Sequence, residues 1–230
     1  MTGYSRSVSH FALGVMTLGQ LLVGCFDVEQ VDVPEAKAKP APLLIDDFDD
    51  GDRQPSLESL ELWHCFGDNG TAQNLRADPE KQGAHSTAGR AITFDLVDVT
   101  DGKQDYQAVE LQARASVPLD LTDYERFVFW AALDARATPD ALPVRIKLSC
   151  DDLGDGAELE SPDQSVPAGG PFRAHSTPMA KFYHPAWIET DYDEASCLAR
   201  VSALSFFLQP EMLDGSRASG RLTVDDAYLQ

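Results

Sequence analysis

Short apolar runs with a period of two, broken by clusters of Gly, Pro, Asp and Ser, restrict most strongly how these 230 residues can fold. Successive side chains of a strand point to opposite faces, so Ala91-Ile92-Thr93-Phe94-Asp95-Leu96 places Ile92, Phe94 and Leu96 on one face. Val109-Glu110-Leu111-Gln112-Ala113 and Val144-Arg145-Ile146-Lys147-Leu148 alternate in the same way. Phe127-Val128-Phe129-Trp130-Ala131-Ala132-Leu133 is apolar on both faces, which predicts a central strand with Trp130 in the core. Leu43-Leu44-Ile45, Val201 to Leu208 and Leu222-Thr223-Val224 extend the pattern, and turn clusters such as Pro167-Ala168-Gly169-Gly170-Pro171 separate the runs. No stretch sustains a helical period and no internal repeat is present. The reading is one all-β domain over residues 43–230, a sandwich or jelly roll. Within its last run, Leu222 and Val224 share a face while Ala227 and Leu229 resume on odd numbers; that change of phase predicts a bulge at Asp225-Asp226.

The charge narrows the partners. There are 38 acids against 18 Lys and Arg, a net charge of −20. Such a surface repels nucleic-acid phosphates and anionic lipid heads, and it reads first as a device for solubility. Yet the first residues are of another kind. Arg6 is followed by an apolar stretch from Phe11 to Gly24, too short to cross a bilayer as a helix. That stretch ends in Leu22-Val23-Gly24-Cys25, which resembles the lipobox of bacterial lipoproteins. The resemblance implies that residues 1–24 are a signal peptide and that Cys25 carries diacylglycerol, with acyl chains such as palmitate, after cleavage before it. The alternative is an ordinary secretory signal with an incidental cysteine. Phe26, where an Asp would retain a lipoprotein at the inner membrane, implies the outer membrane and thus a lipid-anchored cell-envelope protein. Residues 25–42, with Pro34, Pro40 and Pro42, read as a lipidated, partly extended linker.

Three segments of the body carry a further resemblance. Ile45-Asp46-Asp47-Phe48-Asp49-Asp50-Gly51 opens it, Leu119 to Ala131 runs from a polar turn through Tyr124 to the Phe-Trp strand, and Gly220 to Leu229 closes it with an aliphatic-Asp-Asp-aliphatic signature. Together they resemble the galactose-binding-domain-like jelly rolls, which include carbohydrate-binding modules and the complex I intermediate-associated family. The resemblance implies that the first and last strands pair. It also implies a structural Ca²⁺ between them, held by Asp47, Asp49 and Asp226; the other reading is that these acids cap turns and blunt an edge strand. Its implied function is non-catalytic recognition of a glycan, with a structural or protein-interacting envelope lipoprotein as the alternative.

Sugars are held by aromatic rings against their apolar faces, with amides and acids on their hydroxyls. Trp63, Tyr106, Tyr183 and Trp187 are the candidate ligand-contacting residues, with Tyr192 as a further aromatic and His64, Asp68, Asn69 and Gln107 as polar neighbours in sequence. Phe182-Tyr183-His184-Pro185-Ala186-Trp187 is the densest aromatic segment, and packing is the competing role for every ring in it. Export permits disulfides. Cys150 ends one strand and Cys197 precedes another, so Cys150–Cys197 is the preferred bridge and Cys65 a free thiol. No motif of a serine hydrolase, zinc protease or P-loop enzyme is present, and the five His residues lack metal-ligand spacing. A carbohydrate-active enzyme is a distant third reading, because 38 acids produce carboxylate pairs by chance.

Overall fold

In a computed structural model, residues 39–50, 52–67, 72–77, 90–97, 108–134, 137, 140–209 and 217–230 are described, the strands at 72–77 and 90–97 by their backbone alone. The expected signal peptide, Cys25 and the expected linker up to residue 38 lie outside these residues, as does Tyr106. One compact unit spans Ala38–Gln230, and Lys39 already belongs to it, its ammonium 2.7 Å from Glu125.

The unit is nearly all β, in two antiparallel six-stranded sheets. Sheet I contains β1 (Leu43–Asp46), β3 (Ala72–Ala77), β4 (Arg90–Val97), β6 (Arg126–Leu133), β10 (Arg173–Pro178) and β12 (Arg217–Leu229). Its strands run in the order β10-β6-β12-β4-β3, and β1 pairs with β12. Sheet II contains β2 (His64–Gly67), β5 (Val109–Leu119), β7 (Ala141–Ser149), β8 (Glu158–Glu160), β9 (Gln164–Pro167) and β11 (Val201–Leu208). Here the order is β2-β5-β11-β7-β8, with β9 pairing β7. The expected jelly-roll sandwich is the observed architecture; among the described residues it carries one short α-helix, α1 (Glu194–Leu198), capped by the Asp193 carboxylate on the Ser196 N–H at 2.8 Å.

The long last strand ties the chain ends together. β12 pairs with β6 along Leu222–Leu229, and on its other side it pairs first with β4 and then with β1. Leu43 sits opposite Leu229 and Leu44 opposite Tyr228. Between Asp225 and Tyr228 the register against β6 slips by one residue, and Asp226 adopts a φ of 44°. The bulge read from the phase change therefore lies where β12 passes from β4 to β1, and it restores an inward Ala227 and Leu229.

The core fills the space between the sheets. Phe206 of β11 is its hub, with ring centroids 5.3 Å from Phe129, 6.2 Å from Phe127 and 5.9 Å from Trp63. Leu111, Ile146, Leu148, Leu222 and Val224 surround these rings and are fully buried. Trp130 departs from expectation. Its neighbours Phe127, Phe129, Ala131 and Leu133 take the inward phase of β6, so Trp130 projects from the opposite face of sheet I and is half-buried. Cys150, the residue after β7, is joined to Cys197 of α1 by a disulfide with a Cα–Cα distance of 5.4 Å. Cys65 is a half-buried free thiol. Truncating the hub leaves a cavity between two sheets that cannot collapse onto it. Phe206→Ala is expected to lower the unfolding free energy by about 3–5 kcal/mol in urea titrations.

Candidate functional site

Because β11 turns Leu204, Phe206 and Leu208 into the core, Ser205 and Phe207 face outward across sheet II. The strand register then assembles a transverse surface. Phe207 stands between Glu110 of β5 and Arg145 of β7, and Ser205 between Gln112 and Lys147. At one edge Phe66 and His64 of β2 oppose Glu110 and Gln112; at the other, Glu160 of β8 opposes Lys147. A cleft of about 330 Å³ opens on this face, lined by Lys147, Glu160, Phe207 and Trp187.

The rim is the aromatic loop that follows β10. Buried Met179 and Phe182 anchor its start. The backbone of Tyr183 then pairs with Glu160 in both directions, at 2.9 and 3.0 Å. Pro185 accepts the Ile188 N–H at 3.1 Å, closing a turn that lifts Trp187 out, 57% exposed. The far end is pinned as well. The Tyr192 hydroxyl accepts the Glu158 N–H at 2.8 Å and donates to the Glu158 carbonyl, while the His184 imidazole contacts the Thr190 carbonyl at 2.8 Å. Trp187 is thus presented by a loop fastened to β8 at both ends.

The floor is charged and internally paired. Lys147, with a side chain only 12% exposed, lies 3.0 Å from the Glu158 carboxylate and 3.7 Å from that of Glu110, with its ammonium 4.7 Å from the centre of the Phe207 ring. Burial pushes the Lys147 pKa down, but Glu110 and Glu158 outweigh burial and hold it above the ordinary lysine value. Burial raises the pKa of Glu158 although Lys147 pulls it down. Arg145 bridges Asp163 and Glu160, the latter at 3.3 Å. The Tyr183 hydroxyl donates to the same Glu160 oxygen at 3.3 Å, and the Gln112 amide donates to Glu110 at 3.1 Å. Such a surface offers a ring for an apolar sugar face beside acceptors for hydroxyls. Glu158 itself is buried against Lys147, so its carboxylate is not presented to a ligand in the cleft.

Of the sequence candidates, Tyr183 and Trp187 come to this face together. Trp63 does not. It is fully buried beneath Phe48 and Phe206, and its indole donates to the Asp46 carboxylate at 2.6 Å, so it cannot stack on a ligand. Phe207, Lys147 and Glu160 were not among the candidates. They occupy the polar or outward phase of their strands, a signal that exists in the sequence but becomes a site only once β7, β8 and β11 are neighbours.

No protein-family model and no curated relative match the sequence. Solved structures do. A family 30 carbohydrate-binding module matches with a TM-score of 0.53 and 10% identity, covering 83% of this chain and 99% of that one. The family 11 module of the cellulosomal cellulase Lic26A-Cel5E of Clostridium thermocellum matches with a TM-score of 0.51 and 14% identity, covering 84% and 95%. The same family's module from that organism, in complex with a β-1,3-1,4-mixed-linked tetrasaccharide, gives 0.51 and 15%, covering 82% and 94%. The chain shares the jelly-roll fold of carbohydrate-binding modules. At these identities the likeness is one of fold, and the chemistry of the cleft stands on its own residues.

The acidic end of the sandwich has a different role from the cleft. Asp46 ends β1, is buried, and accepts the Trp63 indole at 2.6 Å and the Phe48 N–H at 2.9 Å. Phe48 is held at a φ of 56°, the left-handed region. Asp47 accepts the Asp49 N–H at 3.2 Å and the Ser56 hydroxyl at 3.3 Å, as a turn-capping carboxylate does. Among the described residues no group of three or more His, Cys, Asp or Glu side chains gathers to hold a metal ion, so the Ca²⁺ expected at Asp47, Asp49 and Asp226 rests on the sequence resemblance alone. Burial, opposed by the Phe48 and Trp63 hydrogen bonds, pushes the Asp46 pKa up to about 6. An acid with a raised folded pKa binds its proton more readily when folded. Its contribution to stability is therefore gained as pH falls through about 6 and lost again as pH rises. In urea titrations, the wild type should lose up to about 3 kcal/mol relative to Asp46→Asn between pH 4 and pH 7. A difference that stays constant over this range would refute the assignment.

Proposed function

We propose that this protein is a non-catalytic glycan-binding module, held at the bacterial cell envelope by lipid on Cys25, and that the outward face of sheet II is its binding surface. The observation that carries the reading is the cleft itself. It combines an exposed Trp187, a second exposed ring in Tyr183 and a polar floor at Glu160 on one face of a sandwich whose fold is that of carbohydrate-binding modules. A sugar stacked on the indole would leave its hydroxyls within reach of Glu160 and the Tyr183 hydroxyl. The loop is fastened before any ligand arrives, so binding costs little ordering of Trp187. A family 11 module bound to a mixed-linked tetrasaccharide makes a short stretch of polymer a sensible size of ligand to test.

Two measurements check the proposal. In calorimetry against neutral polysaccharides, Trp187→Ala should weaken binding at least tenfold, about 1.4 kcal/mol, with an unchanged melting temperature because the ring is exposed. Binding to no polysaccharide by the wild type would leave the protein-interaction alternative in its place. The anchor is tested separately. In a bacterium fed labelled palmitate, the full-length chain should acquire label and fractionate with membranes, and Cys25→Ala should abolish both. Unlabelled wild-type protein would remove the anchor without touching the cleft.

A further inference from the structure

The pairing of charges in the cleft floor bears on which glycans it accepts, an inference that rests on the glycan-binding reading above. A cleft that recognises a uronate or sulfate does so with Arg or Lys donors directed at the ligand. Here the two cations of the floor among the described residues, Lys147 and Arg145, are each engaged twice over. Lys147 is held by Glu158 at 3.0 Å and Glu110 at 3.7 Å, and Arg145 by Asp163 and by Glu160 at 3.3 Å. Four carboxylates therefore surround two cations, and the surplus is negative. Diverting Lys147 to a ligand would leave Glu158, 7% exposed, without its counter-ion, and stripping one partner from a buried pair is costly. Phe207 beneath the ammonium further fixes its position.

We propose that the cleft selects uncharged glycans against acidic ones, and that Glu110, Glu158, Glu160 and Asp163 are the specificity-determining residues, because they occupy both cations and present the remaining negative charge. The net charge of −20 would repel an acidic polymer at long range as well. At 0.15 M salt that contribution is screened beyond about 8 Å, whereas the local one persists.

The test uses paired probes: oligosaccharides of a neutral β-glucan, a mannan and a galactan, each beside its C6-oxidised, carboxylate-bearing counterpart, titrated calorimetrically at 0.15 M salt. For whichever sugar binds, the wild type should favour the neutral member at least tenfold. Asp163→Asn with Glu110→Gln relieves one partner of each cation, and it should cut that preference to about threefold or less. The readout is the ratio of the two affinities, because a merely structural loss lowers both together. Asp163 is half exposed, so Asp163→Asn alone serves if the double variant melts early, with a partial fall in the ratio expected. Equal wild-type affinity for both members would overturn the charge selection while leaving the glycan reading intact. A tenfold wild-type preference unchanged in the variants would overturn the assignment to these residues. Binding to no member of any pair would overturn the glycan reading and this inference with it.

Discussion

The alternation of β11 is the constraint on which the core and the cleft both depend. A strand must send neighbouring side chains to opposite faces. Phe206 goes inward and becomes the meeting point of Phe127, Phe129 and Trp63; Phe207, its neighbour, is thereby committed to the outside, where it floors the cleft under Lys147. A slip of one residue would exchange the two and lose hub and floor at once. Central placement between β5 and β7 makes the commitment firm, since both neighbours fix the register.

Around that strand the protein separates the source of its rigidity from the proposed binding surface. Rigidity comes from the chain ends. β12 closes sheet I by taking β1 as a partner, its bulge accommodates the change of neighbour, and the buried Asp46–Trp63 hydrogen bond ties the segment after β1 to the core. The proposed binding surface takes its exposed rings from a loop that no strand contains. That loop is still not free: Tyr183 and Tyr192 fasten it to β8, whose Glu160 also faces the cleft. The salt bridges of the floor are partly desolvated, so they stabilise the fold little and serve mainly to fix where charge lies.

Much of the fold was legible in the chain because its signals are local. Period-two runs named the strands β4, β5, β7 and β11, a run apolar on both faces named β6, and the change of phase after Val224 named the bulge. The densest aromatic segment proved to be the loop that bears Tyr183 and Trp187. The failures share one cause. Trp63 and Trp130 are the same residue type, and composition gives neither a direction. Trp63 was read as a ligand contact and is buried against Phe206, whereas Trp130 was read as core and lies on the other face of its strand. In a run apolar at every position, periodicity carries no phase, so only the packing of β6 against its neighbours decides which ring goes inside.

By itself, then, the sequence determined the class of fold, most of its strands, the bulge in the last one and the position of the densest aromatic segment, since alternation, turn residues and local phase are properties of adjacent positions; the pairing of the end strands was implied only by the resemblance. Tertiary structure alone decided that Lys147, Glu110, Glu158 and Glu160 would share one floor beneath Trp187. These residues come from β5, β7 and β8 and are separated by up to fifty positions in the chain. Their meeting is fixed by the order in which strands pair, and pair order follows from burying both sheets against one another, a condition on the whole chain that no short stretch of it encodes.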